Sequence, residues 1–248
     1  MNKLTLIMHG RCGSTLLLNW LYSTELFTLW GNVNTLKDGL GECPLTHHLV
    51  WSKELVQKEW RKIRNKGKYI LSKLPEFCYI VPLLLPLQPD IIVIERNIED
   101  KIRSTLGVGW GELEVFKKRA GGILDSAHVK YAELGGRISD KYCWSLFVNL
   151  AVLFCYGQWK ARKDLENYSH VLYVTFEDLM FRDEVALSQI ERFLEISNLY
   201  RVNWVQLKNQ KLQDTGRKNF DFTKKLPIPF PEPEHKLVRD IVERFGCS

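Results

Sequence analysis

The sequence predicts an α/β fold in three layers, a central parallel sheet with helices on both faces. Three observations predict it. Short apolar runs of strand length alternate with helical patterns, the order that builds parallel βαβ units. The run at 90–95, DIIVIE, is almost continuous and β-branched, as in a strand buried on both faces. The first apolar run, within LTLIMHGRCGSTLLL at 4–18, passes at once into a glycine turn and a helix start. That order leaves the first backbone N–H groups of the helix without intrahelical partners and makes an anion site.

The elements follow in chain order. Residues 3–8 form the first strand; Gly10 and Gly13 permit the sharp turn, and Ser14 and Thr15 open a helix running to about 22. Residues 24–50 carry no clear period and form a loop long enough to be functional. An amphipathic helix follows at 51–65, a second strand, KYILS, at 68–72, and a helix at 75–85. The strand at 90–95 leads into a helix with Ile98, Ile102 and Leu106 on one face. Residues 107–137, rich in glycine and mixed charge, are expected to be a mobile insertion with one helix, near the acceptor site. A long helix covers 140–166, and a fourth strand 170–176. The helix at 183–195 is expected to turn Val185, Leu187, Ile190, Phe193 and Leu194 to the core. A basic, then proline-rich loop spans 207–234, and a last helix 234–245.

Composition narrows the class. The chain has 248 residues, 45% hydrophobic and 12% aromatic, which suits one sizeable domain over 1–248, with the insertion at 107–137 and a C-terminal loop-helix segment at 207–248. The formal net charge of +6 is mild and scattered, without the basic stripe or module that nucleic acid binding needs. A positive cleft for a polyanion explains the excess as well. No stretch reaches the roughly 20 apolar residues that span a bilayer, and no signal peptide is recognisable. Cys12, Cys43, Cys78, Cys143, Cys155 and Cys247 are isolated, without metal-type spacing, so free thiols in a reducing, cytoplasmic setting are expected.

The loop Arg11-Cys12-Gly13-Ser14-Thr15 lacks the lysine of a nucleotide-triphosphatase loop, and Arg11 supplies the charge from inside the turn. It resembles the 5′-phosphosulfate loop of sulfotransferases that use 3′-phosphoadenosine 5′-phosphosulfate (PAPS), where Arg-Ser-Gly-Ser-Thr is common. A second motif is similar to that family's 3′-phosphate motif, Arg-Asp-Pro-Arg-Asp, three residues, then Ser. Arg96, Asp100 and Ser104 match it, while Asn97, Ile98 and Glu99 depart from it. Residues 171–179, VLYVTFEDL, look like the family's strand ending in Tyr-Glu-Asp-Leu, with Phe176 in place of Tyr. Residues 217–223, RKNFDFT, faintly resemble a late loop that binds the 3′-phosphate, which would make Arg217 and Lys218 its carriers.

The resemblance implies a P-loop nucleotide-kinase-like sulfotransferase fold, nearer the carbohydrate branch. It also implies transfer of the sulfuryl group of PAPS to an acceptor hydroxyl, with 3′-phosphoadenosine 5′-phosphate (PAP) as product and no metal. In this reading the loop residues hold the 5′ end, and Arg96 and Ser104 the 3′-phosphate. Lys73, in a Lys-x-Pro match, steadies the leaving group or orients the acceptor. Glu42 resembles the family's general base, although Cys43 interrupts the match; His47 and His48 are rivals for that role. The implied partner is a small-molecule or carbohydrate hydroxyl. The rival readings are a non-catalytic PAPS- or PAP-binding protein and a P-loop phosphotransferase, which would need a Walker lysine and metal-holding carboxylates. Cys12 lacks the neighbours of a hydrolase elbow or of a phosphatase cysteine.

Overall fold

A computed structural model describes residues 2–9, 12–31, 43–47, 50–73, 75–106, 114–137, 145–196, 201–214 and 232–247. Contacts divide the chain into two compact units: Met1–Glu95 with Asn167–Thr223, and Arg96–Glu166 with Lys224–Ser248.

The first unit carries a five-stranded parallel sheet in the order β2-β3-β1-β4-β5. Strand β1 (Lys3–Met8) sits at its centre, and Leu4 to Met8 are at most 1% exposed, so both faces are covered. This matches the expected parallel α/β class. Helix α1 (Ser14–Ser23) buries Leu16, Leu17, Leu18, Trp20 and Leu21. Strand β2 (Phe27–Leu29) was not expected. Three residues are too few to show a period of two, and its signal is tertiary. Trp30 N donates to Leu71 O at 2.8 Å, and Ser72 Oγ to Trp30 O at 2.7 Å, pinning it against β3 (Tyr69–Lys73).

Helix α2 (Lys53–Ile63) starts where Ser52 Oγ accepts from Leu55 N at 3.2 Å, an ordinary N-cap. The single helix expected at 75–85 is instead a 3-10 turn (Pro75–Tyr79), a short α3 (Val81–Leu84) and a second 3-10 turn (Leu85–Leu87). Pro82 and Pro86 lack the N–H that would continue one α-helix. Strand β4 (Asp90–Glu95) then enters the sheet, with Ile91 to Ile94 fully buried. Strand β5 (Val171–Thr175) lies at the far edge.

Thr175 Oγ1 accepts from Asp178 N at 3.0 Å and caps α7 (Phe176–Phe181). Helix α8 (Asp183–Leu194) buries Ala186, Leu187, Ile190 and Leu194, but Val185 is 57% exposed, so the core stripe is shifted from the expected one. The first residues of the loop expected over 207–234 are helix instead, as part of α9 (Arg201–Asp214), and 215–231 lie outside the described residues. The sequence of α9 is mostly polar, so no apolar period announces it. Trp204 anchors it, fully buried and edge-on to Trp20 with ring centroids 5.7 Å apart.

The second unit is helical: α4 (Ile98–Leu106), α5 (Glu114–Glu133), α6 (Leu146–Asp164) and α10 (Glu232–Phe245). They share a core of Ile98, Ile102, Ala127, Tyr131, Val148, Val152, Cys155, Val238, Ile241 and Phe245. The expected insertion contains one 20-residue helix, α5, which continues through Gly121 and Gly122, where a Cβ would meet nothing. Helix α6 starts at the cap Ser145, whose Oγ accepts from Val148 N at 3.4 Å. Its expected first turns at 140–144 lie outside the described residues.

Candidate functional site

The site is built at the carboxyl end of the sheet, where open α/β folds bind ligands. Strand β1 ends at Met8, and the next residue, His9, takes a left-handed backbone (φ 69°) while 2% exposed. A non-glycine residue held there costs free energy and marks a constrained turn. Gly13, with φ 80°, is the N-cap of α1 and provides no side-chain cap. The left-handed backbone favours glycine at 13, and a Cβ there would stand 3.1 Å from the Phe176 ring, which would have to shift slightly. The ring of Phe176, in the Tyr-Glu-Asp-Leu-like segment, therefore packs on the turn.

Helix α1 has no acidic residue in its own first turn, and the N–H groups of Ser14, Thr15 and Leu16 form its positive end. Lys73 adds charge from the next strand. It pairs in register with Ile7, which brings the end of β3 level with the end of β1. Its Nζ donates to Thr15 Oγ1 at 2.9 Å, and the residue is only 3% exposed. Positive charge from Lys73 and from the start of α1 thus converges at Thr15. A buried ammonium next to a helix N-terminus favours an anion there. Cys12 and Ser14 are also buried.

Cys43 N donates to Lys73 O at 3.0 Å, so residue 43 is tied to the carboxyl end of β3. Burial pushes its thiol up to about 12, a rise that hydrogen bonds with Leu45 and Ser72 reduce and the charges of Glu59 and Glu76 increase. Such a thiol is an inert core group.

In the second unit, Arg96 follows directly on Glu95, the last residue of β4, and Ser104 lies on α4; both are half-buried. Asn97 departs from the family's Asp yet does a capping carboxylate's work. Its Oδ1 accepts from Glu99 N at 3.0 Å and from Asp100 N at 3.4 Å, while Lys101 N donates to Asn97 O at 3.0 Å. Glu99, where the family has Arg, faces Arg103 at 3.9 Å and His235 Nδ1 at 3.7 Å.

Arg11, Glu42, His48, Arg217 and Lys218 lie outside the described residues. His47 ends a 3-10 turn (Pro44–His47), of which the backbone alone is described at that position. The Lys73–Thr15 bond and the Phe176–Gly13 packing each join segments distant in sequence. Neither could be found by spacing, although both residue types stood in recognisable motifs. The strained His9 carried no sequence signal. Among the described residues no group of His, Cys, Asp and Glu is placed to hold a metal ion, and no helix is long and apolar enough to cross a membrane.

No protein-family model matches the sequence, and no curated protein matches it. Solved structures do. The sulfotransferase domain from the curacin biosynthetic pathway superposes with a TM-score of 0.57 at 13% identity, over 100% of this chain and 99% of that one. Mouse sulfotransferase SULT7A1 complexed with PAP superposes with a TM-score of 0.50 at 13% identity, over 100% of this chain and 86% of that one. The chain has the sulfotransferase fold.

Proposed function

We propose that the chain, as one sulfotransferase-like domain over 1–248, transfers the sulfuryl group of PAPS to an acceptor hydroxyl, a sugar or small alcohol. The observation that carries this reading is the convergence of Lys73 Nζ, 2.9 Å from Thr15 Oγ1, with the N-terminus of α1 at the end of β1. It stands in a chain whose fold matches two sulfotransferases, one of them holding PAP.

The residues fit a phosphosulfate. The amides of Gly13, Ser14 and Thr15, with Arg11, hold the 5′ end. Arg96 and Ser104 take the 3′-phosphate, and Arg217 and Lys218 add charge to it. PAPS supplies an activated sulfuryl group. The acceptor oxygen forms its bond to sulfur while the bond from sulfur to the phosphate oxygen breaks, in line. Lys73 lies beside Thr15 to neutralise charge growing on the departing oxygen, without a metal. The acceptor proton passes to a general base, for which Glu42 is proposed first and His47 and His48 are the rivals. Carbohydrate-type likeness around Glu42 favours a sugar acceptor.

Calorimetry tests the nucleotide half. PAP is expected to bind in the micromolar range, with ATP inert and Arg96→Ala binding at least tenfold weaker. Equal binding of ATP and PAP, or no binding of either, sinks the reading. Binding of PAP without turnover of PAPS on any alcohol would favour a non-catalytic PAP-binding protein.

A further inference from the structure

Among the described residues, the non-glycine residues with a left-handed backbone are His9 (φ 69°), Glu25 (φ 61°), Gln88 (φ 51°) and Glu195 (φ 54°). Three of them are ordinary. Glu25 stands just past the C-cap of α1, and Gln88 and Glu195 are the C-caps of the second 3-10 turn and of α8. A left-handed residue is a common way to end a helix. All three are exposed. His9 instead follows a strand, and it is 2% exposed.

Its place in the sheet shows what it does to the chain. Strand β1 pairs with β3 as far as Ile7 and Lys73, and with β4 as far as Met8 and Val93. Strand β4 continues beside β5 to Glu95. At His9 the chain therefore leaves the middle of the sheet. The next left-handed residue, Gly13 at φ 80°, is the N-cap of α1. One such residue thus stands at each end of the connection from β1 to α1. Glycine takes that backbone without a steric cost, and a residue with a Cβ does not. His, like Asn and Asp, is enriched there several-fold over other side chains. Behind the connection, Lys73 Nζ, buried, meets Thr15 Oγ1 at 2.9 Å. A change of backbone angle at the strand end swings everything that follows it, including the start of α1.

We propose that His9 is a positioning residue: its left-handed backbone aims the start of α1 so that the N–H groups of Ser14 and Thr15 and the ammonium of Lys73 serve one anionic group. The proposal rests on the reading of this turn as the seat of the 5′ end of the nucleotide. His9 acts through the turn and does not itself touch the ligand. A residue that relaxes to an ordinary backbone at position 9 re-aims the turn, and the loss falls on the 5′ end alone.

The test measures, by calorimetry on the full chain, binding of PAP and of adenosine 3′-phosphate, which lacks the 5′-phosphate. Wild type is compared with His9→Ala and His9→Asn. Both substitutions delete the imidazole, but only Asn tolerates the left-handed backbone well. An Ala variant that holds the binding turn for about one-tenth of the time binds PAP about tenfold more weakly, and His9→Asn should stay within about threefold of wild type. Adenosine 3′-phosphate should bind all three proteins alike. Equal losses for both nucleotides would mark general damage to the fold and overturn the proposal. So would PAP binding to His9→Ala as to wild type. A loss of PAP affinity in His9→Asn as large as that expected of His9→Ala would give the role to the imidazole, and it decides the matter even where His9→Ala does not fold. These results sink the positioning role alone, whereas a wild type that does not bind PAP sinks the nucleotide reading and this proposal together.

Discussion

Lys73 and Gly13 bear the most consequence at the level of single residues. Lys73 is an ammonium kept almost wholly out of water and held to Thr15. If it neutralises the departing oxygen, Lys73→Met should lower single-turnover consumption of PAPS by about 10²–10³-fold, the usual loss for one such charge contact. PAP affinity should fall much less. A rate within threefold of wild type would remove Lys73 from the mechanism. Gly13→Ala meets two penalties together: a left-handed backbone, about 1–2 kcal/mol for a residue with a Cβ, and a methyl group 3.1 Å from the Phe176 ring. Denaturant unfolding should show at least that loss, and calorimetry a weakened PAP site. Unchanged values in both would mean that the turn relaxes freely.

Helices α8 and α9 show what an element can hide from sequence. Asp183 at the start of α8 accepts from Lys208 Nζ at 3.0 Å and from Trp204 Nε1 at 3.2 Å, both on α9. Burial pushes its carboxyl up, but the Lys208 and Trp204 contacts and the amide of Glu184 outweigh this and hold it below the usual range. A depressed carboxyl stabilises the fold above its unfolded value, near 3.9, and that stability goes as pH falls through the folded value. Asp183→Asn should therefore be less stable than wild type at neutral pH, with the gap closing below about pH 4. A gap constant down to pH 2 would show that the contact is not electrostatic.

The legible elements were those with a local code. The strands β1 and β4 were read from continuous apolar runs, and α1 from a glycine turn with Ser and Thr behind it. Among the described residues, helix α9 is held by Trp204 against Trp20, by Leu207 on the core and by polar contacts of Asn203 and Lys208, and β2 by hydrogen bonds to Leu71 and Ser72, so neither had a period to read. The candidate site divides the same way. Cys12 to Thr15, Lys73, Arg96 and Ser104 stood in motifs. The contacts that give Lys73 and Gly13 their meaning come from strand register and from a ring on α7.

For the molecule as a whole, the sequence's mild positive balance suits a polyanion such as the proposed nucleotide. Ligand bound only by the native state adds to its stability by mass action, about 2.7 kcal/mol at one hundred times the dissociation constant. PAP at that excess should raise the melting midpoint by roughly 5–10 °C for a chain of this size. The shift should shrink as salt screens the phosphates. ATP producing an equal shift would contradict the proposed preference for a 3′-phosphate.

The packing of Phe176 on Gly13 also has a consequence in time. With a ring from another helix beside Gly13, the start of α1 has little room to fluctuate, so in the proposed site the amides of Ser14 and Thr15 stand in binding orientation before the nucleotide arrives. Capture is then a single encounter rather than an encounter followed by a slow rearrangement. The observed association rate should climb linearly with nucleotide concentration, in one phase and without a plateau, and the lifetime of the complex alone should set how tightly it holds.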